Sequence, residues 1–210
     1  MPGDYDWWLA FQAQRLNTIY GREHRILYLT KMPSLAGSRF LEKAPELPVV
    51  CSASLNIEDV ALRYERGADP PGARMKWLKE MDEAGVEVRA RIDPIIDPGS
   101  NISCYLDLVD TLAQEVEGLR VVTLGVLRCS TERLYRALPP ELRVGLVRSG
   151  WGYTYKEEER EFAYGVLVER LREYGIRAGL CKEPARMWRA VRAKGPCNCI
   201  MGPKVSGTRA

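Results

Sequence analysis

The sequence predicts an α/β fold in which parallel strands alternate with helices. Short apolar runs typical of buried strands alternate with segments of helical period up to about residue 127. Polar residues also stand where four successive strands end, and parallel strands of a barrel place a ligand at that edge. The four strand-end segments are Thr30-Lys31, Ser52 to Asn56, Arg91 to Ile96 and Leu124 to Arg128.

The first half of the chain divides into elements by its periodicity. Apolar residues at helical spacing from Leu9 to Tyr20 predict an amphipathic first helix, which Gly21 ends. Asn56, Asp69 and Asn101 each stand where a later helix can begin, as capping residues do. Since helices separate the strands, the strands are expected to pair in parallel. The predicted strands are 25–30, 48–54, 86–93 and 119–127.

The second half is less regular. Residues 139–155 combine prolines and glycines with large aromatic residues, which predicts a long functional or bracing loop. A helix over 156–174, a short strand over 177–181 and a helix begun by Pro184 follow. The expected organisation is a single domain over 1–200, with barrel strands to about 128, a helical extension from about 139 and a flexible tail at 201–210.

The strand over 86–93 carries the strongest physical sign of a ligand site. A period of two places Glu87, Arg89, Arg91 and Asp93 on one face and apolar residues on the other. Four charges cannot face helices in a buried sheet, so this face looks into a polar lumen, pairs its charges internally, or belongs to an edge strand open to water. In the strand before it, Ser52 and Ser54 share a face.

Composition limits the classes of protein to consider. With 31 basic and 28 acidic residues, the net charge of +3 would not by itself attract nucleic acid strongly. Basic residues are concentrated near the carboxyl end, where they form either a phosphate-binding patch or a solvated helix face. No apolar run approaches membrane-spanning length, so we expect a cytoplasmic protein with no membrane association. The basic residues in question are Lys182, Arg186, Arg189, Arg192, Lys194, Lys204 and Arg209.

In their order, the strand-end segments resemble those of the radical S-adenosylmethionine (SAM) enzymes, and within them the spore photoproduct lyase group. That group shows LTK, SxSLN, RxDPII and LGxLR segments. Tyr153 to Lys156 and Leu180 to Glu183, the latter followed by Trp188, continue the similarity, which covers about residues 5 to 190. The resemblance implies a radical SAM-type (β/α) barrel. Mapped onto it, this chain begins at the third strand and would form a partial, half-open barrel.

The resemblance also implies roles for particular residues. Lys31 would neutralise the carboxylate of SAM, and Ser54, with Ser52 or Asn56 as second choice, would bind its ribose hydroxyls. Asp93 would hold the ligand or an arginine partner. Alternative interpretations of these residues are a surface lysine, a helix cap and a purely structural aspartate. Arg128 would contact cofactor or substrate, and Arg91, Tyr153 and Tyr155 would contact substrate, although aromatic loops also cover core edges.

The family's chemistry needs a four-iron four-sulfur cluster, which reduces bound SAM to a 5'-deoxyadenosyl radical that abstracts hydrogen from substrate. In spore photoproduct lyases that substrate is a methylene-bridged thymine dimer in DNA. The Cys-x3-Cys-x2-Cys loop that holds the cluster is absent from this sequence. The resemblance therefore implies a cluster-bearing amino-terminal partner or fragment, and DNA as a further partner.

Three cysteines near the carboxyl end raise a separate question. Cys181, Cys197 and Cys199 could hold zinc or an accessory iron-sulfur cluster, because thiolates favour both. The alternative is ordinary reduced thiols.

The sequence thus leads to one functional hypothesis and one alternative. The hypothesis is the carboxyl-terminal part of a radical SAM enzyme that binds SAM and acts on a nucleic acid, inactive as an isolated chain. The alternative is a non-enzymatic half barrel that binds a nucleotide or nucleic acid.

Overall fold

The structure is a computed structural model and describes residues 2–21, 24–36, 38–150 and 152–197. Cys199 and the predicted flexible tail at 201–210 lie outside the described residues. The strands are β1 (Ile26–Thr30), β2 (Val49–Leu55), β3 (Glu87–Ile95), β4 (Val121–Val126), β5 (Arg128–Cys129), β6 (Val147–Ser149), β7 (Gly152–Thr154) and β8 (Arg177–Leu180). The α-helices are α1 (Pro2–Tyr20), α2 (Ser38–Lys43), α3 (Glu58–Tyr64), α4 (Pro71–Glu83), α5 (Ile102–Glu115), α6 (Glu132–Ala137), α7 (Pro140–Arg143), α8 (Glu157–Glu173) and α9 (Ala185–Ala190).

Five strands form one parallel sheet in the order β1-β2-β3-β4-β8. Each connection between neighbouring strands carries at least one helix, as parallel pairing requires. Within the described part of the chain the sheet stays open, with β1 and β8 as its edges. The predicted α/β fold, a partial parallel barrel, is confirmed.

One face of the sheet packs against helices and forms the core. Cys51, Ala53 and Leu55 of β2 point to this face with Ala90 and Ile92 of β3, and all five are fully buried. Helices α4, α5 and α8 cover them with apolar side chains at helical spacing. The covering residues are Met75, Leu78, Met81, Val109, Leu112, Tyr164, Leu167 and Leu171.

Two expectations about the second half need correction. Strand β8 pairs with β4 through Val121 and Arg177, so the sheet extends beyond the limit near residue 128. Ala178 and Leu180 of β8 bury their side chains on the core face and so protect the edge of β4. The expected loop at 139–155 contains α7 and two strands of a three-stranded antiparallel sheet, β5-β7-β6. Strands of two or three residues are too short to reveal a period of two.

The amino-terminal helix covers little of the sheet. It packs against α2 and buries Ala10 and Ala13. Several of its larger side chains, among them Trp8, Leu9 and Leu16, are about half exposed. No helix in the described ranges combines the length and apolar character needed to cross a bilayer.

Candidate ligand site at the carboxyl edge of the sheet

The face of the sheet opposite the helices is polar, as the sequence predicted. Ser52 lies opposite Arg89 in the β2–β3 register, and Ser54 lies opposite Arg91. Arg91 in turn lies opposite Thr123 of β4. Because β3 has a strand on each side, the alternative of an edge strand open to water is wrong. We call this surface the polar face.

Asp93 is the centre of a charged cluster at the carboxyl end of β3. Its Oδ2 atom lies 2.6 Å from Nη2 of Arg91 and 4.0 Å from Nη2 of Arg128. Gly125 of β4 makes this approach possible, because a Cβ atom there would lie 2.5 Å from Oδ2 of Asp93. Arg91, Asp93 and Arg128 were all predicted site residues, and the structure brings them together.

Glu183 completes this cluster, although sequence reasoning did not select it as a site residue. Its side chain is 0% exposed and forms ion pairs with Arg128, at 3.2 Å, and with Arg160. The hydroxyl of Tyr164 donates to the same carboxylate at 3.1 Å and accepts from the backbone N–H of Val126. Burial and the Glu183 charge raise the pKa of Tyr164, so its hydroxyl stays protonated as a donor. The signal was available, since Glu183 ends the sixth segment that resembles the lyase group.

A cavity of about 260 Å³ opens beside these charges. The carboxyl ends of β3, β4 and β8 supply its walls, so it occupies the position where parallel strands gather a ligand. Two guanidinium groups, one carboxylate and one thiol face it, which suits a small polar or anionic group better than an apolar one. The lining residues are Arg91, Asp93, Pro94, Val126, Leu127, Arg128, Cys181 and Lys182.

Lys31 lies in a second cluster, at the ends of β1 and β2. Its ammonium group forms an ion pair with Glu65, whose other oxygen lies 2.6 Å from Nη1 of Arg74. Burial would raise the pKa of Glu65, but the hydrogen bonds from Lys31 and Arg74 outweigh it, and the pKa falls below its ordinary value. Sequence reasoning missed Glu65 and Arg74, because neither follows a strand.

Ser54 and Asn56 connect the two clusters. The Ser54 hydroxyl donates to the backbone carbonyl of Asp93 at 3.2 Å, and the Asn56 amide donates to the carbonyl of Pro94 at 3.0 Å. Asn56 also accepts a hydrogen bond of 2.9 Å from the buried hydroxyl of Tyr105. Asn56 does not cap α3, since Ile57 holds the N-cap position. Both side chains therefore hold the β3 turn in place.

The polar face retains one unused donor further along the strands. Arg89 is almost fully buried and pairs with Glu87 at 2.9 Å through Nη2. Its Nη1 atom is buried with no hydrogen-bond partner in the described structure. Ser52, on the neighbouring strand, is fully buried on the same face.

The two tyrosines predicted to contact substrate lie outside the cavity. Tyr155 is buried, and its hydroxyl accepts from the backbone N–H of Asp97 at 2.8 Å, so it braces the turn after β3. Tyr153 stacks on Tyr135 with ring centroids 4.0 Å apart, and its hydroxyl donates to Glu132. Tyr155 instead fits the alternative interpretation from the sequence, in which an aromatic residue of this segment covers an edge of the core.

The cysteines do not form a metal centre in the described residues, which contain no group of three metal-ligating side chains. Cys181 lies 2.9 Å from Nη2 of Arg91 and hydrogen-bonds with Cys197. This hydrogen bond, with burial, raises the pKa of the Cys181 thiol. The third predicted ligand, Cys199, lies outside the described part of the chain. The residues described here do not fit an iron-sulfur cluster.

The fold and the site define a class of protein, a partial (β/α) barrel with a charged candidate site at its carboxyl edge. No protein-family model and no curated protein matches the chain. Solved structures of spore photoproduct lyase, a radical SAM enzyme, do match it.

A mutant with bound AdoMet and dinucleoside spore photoproduct has a TM-score of 0.60 and 19% sequence identity, over 74% of this chain and 50% of that chain. A second mutant gives a TM-score of 0.57 and 20% identity with the same coverage. A complex with dinucleoside spore photoproduct gives 0.54 and 18%. The chain thus spans about half the length of these proteins, and at this identity the likeness concerns the fold.

Proposed function

We propose that this chain binds SAM on the polar face and is the carboxyl-terminal part of a radical SAM enzyme that repairs or modifies a nucleic acid. The observation that carries the proposal is the Arg91–Asp93–Arg128 cluster, which lies at the carboxyl edge of a sheet shaped like that of AdoMet-bound spore photoproduct lyase. Bound SAM would supply hydrogen-abstraction chemistry once an electron is delivered from a cluster.

The residues present fit SAM in several respects. The cavity of about 260 Å³ offers guanidinium groups to a carboxylate, and Asp93 offers carboxylate oxygen atoms to hydroxyl or ammonium groups. Gly125 lets Asp93 and Arg128 approach β4 closely, because a Cβ atom there would lie 2.5 Å from Oδ2 of Asp93 and 2.9 Å from Nη2 of Arg128. Within this site the chain's own residues bind and orient the ligand, and the Glu183 ion pairs keep Arg128 in place.

The cluster has to come from elsewhere, because this sequence lacks the three-cysteine loop. We propose that an amino-terminal segment or separate polypeptide supplies it by adding strands to β1. Support comes from the open edge of β1 and from the apolar side chains that α1 exposes. Docking of the two parts would extend the sheet towards the full barrel and enclose the polar face.

Titration calorimetry with SAM tests the binding proposal directly. We expect the chain to bind SAM, and Asp93→Asn to weaken binding at least tenfold, because the amide loses the charge that Arg91 and Arg128 share. The matched control is Asp107→Asn, an exposed aspartate on α5 away from the polar face. Circular dichroism of each variant separates loss of binding from loss of fold.

The result that overturns the proposal is an absence of SAM binding by the chain, or equal affinity in wild type and Asp93→Asn. If the chain instead binds single-stranded DNA with strong salt dependence and ignores SAM, the non-enzymatic nucleic-acid-binding half barrel replaces it. If SAM binds, addition of a candidate cluster-bearing partner under anaerobic conditions should yield cofactor cleavage.

A further inference from the structure

Cys181 and Cys197 are two thiols in direct contact beside the charged cluster. Cys181 follows β8 and is 2% exposed, and its thiol hydrogen-bonds with that of Cys197, which is 9% exposed. Neither residue has a role in the proposed function. Two adjacent thiols, one of them lining a cavity, have the arrangement of a redox pair with a reacting and a resolving cysteine.

The backbone holds this pair in register. Segment 195–197 runs along β8, where the N–H of Gly195 donates to the carbonyl of Ala178 at 2.7 Å. The carbonyl of Pro196 passes so close to Gly179 that a side chain at Gly179 would overlap it. Gly179 and Cys181 lie on the same face of the strand, so Cys197 meets Cys181 there. The contact therefore depends on the absence of a side chain at Gly179.

We propose that Cys181 and Cys197 are a redox-active pair that a peroxide converts to a disulfide, fixing segment 195–197 on β8 next to the Arg91–Asp93 ion pair. The proposal is independent of whether the chain binds SAM. The cavity beside Cys181 admits a small oxidant, and Arg91 donates a hydrogen bond to the Cys181 sulfur at 2.9 Å. The Arg91 charge lowers the pKa of the Cys181 thiol and so partly offsets the rise that the Cys197 hydrogen bond and burial cause.

The reaction balances with hydrogen peroxide as the oxidant. One sulfur of the pair attacks peroxide, so that an S–O bond forms, the O–O bond breaks and one water leaves. The second sulfur attacks the resulting sulfenic acid, so that the S–S bond forms and the S–O bond breaks. The second water carries away the remaining oxygen. In sum, two thiols and one hydrogen peroxide give one disulfide and two waters.

Peptide mapping after peroxide treatment of the purified chain tests the proposal. Trypsin releases Cys181 in peptide 178–182 and Cys197 in peptide 195–204, which also contains Cys199. We expect these two peptides to appear linked in the oxidised protein and separate after dithiothreitol. Cys181→Ser and Cys197→Ser should abolish the linked species, whereas Cys199→Ser and the exposed Cys104→Ser should preserve it.

A backbone variant tests the geometry without touching sulfur. Gly179→Ala should displace segment 195–197 and lower the yield of linked peptide severalfold. Its matched control is Gly165→Ala on α8, where an added Cβ meets nothing within 4 Å. In wild type the disulfide should raise the thermal unfolding midpoint by roughly 5 to 10 °C, because a cross-link between residues 181 and 197 lowers the conformational entropy of the unfolded chain.

Four outcomes overturn the proposal. The first is a linkage that survives in Cys197→Ser but is lost in Cys199→Ser, and the second is a disulfide confined to peptide 195–204. The third is stoichiometric zinc in the purified protein that blocks oxidation. The fourth is an oxidised protein whose thermal unfolding midpoint is no higher than that of the reduced protein.

Discussion

Glu183 is expected to be the most important single charge for the stability of the site. Its carboxylate is fully buried and accepts from Arg128, Arg160 and Tyr164. Glu183→Gln keeps the shape but leaves two guanidinium groups without their buried counter-charge. Breaking a buried ion pair by neutralising one partner costs about 3 to 5 kcal/mol, and the amide oxygen can keep the Tyr164 hydrogen bond, so we expect about 3 kcal/mol.

Urea denaturation measures this loss of stability. With a slope of about 2 kcal/mol per molar urea, a loss of about 3 kcal/mol lowers the midpoint by about 1.5 M. The matched control is Glu157→Gln, which removes a charge from an exposed two-bond pair with Arg186 at 2.8 Å. Exposed pairs contribute little, so the control midpoint should stay close to wild type. Equal shifts in the two variants would refute the reasoning that burial makes the Glu183 charge essential.

Three further predictions concern the rest of the site. Gly125→Ala should lower the free energy of unfolding by about 1 to 3 kcal/mol, since the new Cβ would lie 2.5 Å from Oδ2 of Asp93. In a double-mutant cycle with Asp93→Ala the two effects should be coupled, and additive effects would contradict this explanation. Tyr105→Phe should lower the free energy of unfolding, measured by urea denaturation, by about 1 to 2 kcal/mol, because the buried backbone N–H of Ile96 loses its acceptor. Tyr64→Phe, at a more exposed position, should have little effect. The folded-state pKa of Glu65 lies below its ordinary value of 4.5, so its stabilisation is fully present above pH 4.5 and is lost as pH falls through the lower folded pKa. Glu65→Gln should therefore flatten the decline of the urea midpoint in acid, and an unchanged decline would count against the Lys31–Glu65 pair.

Local patterns in the sequence were sufficient to predict the parallel sheet and its polar face. Period two in 86–93 places Arg91 and Asp93 on one face whatever the rest of the chain does, and burial of the other face then fixes the orientation. The position of Arg128 at a strand end is likewise predictable, because it directly follows the apolar run over 119–127. The grouping of Arg91, Asp93 and Arg128 was therefore predictable.

Only the tertiary structure decided which further charges join these three residues and which charges surround Lys31. Glu65 and Arg74 come from helix ends, and Glu183 comes from a segment more than fifty residues after Arg128, so no local period connects them to the strands. The fifth strand and the contact of Cys181 with Cys197 depend in the same way on crossover connections. The sequence by itself determined which side chains share a face of each strand, because that depends on backbone geometry alone. Folding decided their partners, because ion pairs and thiol contacts depend on distances between elements remote in the chain.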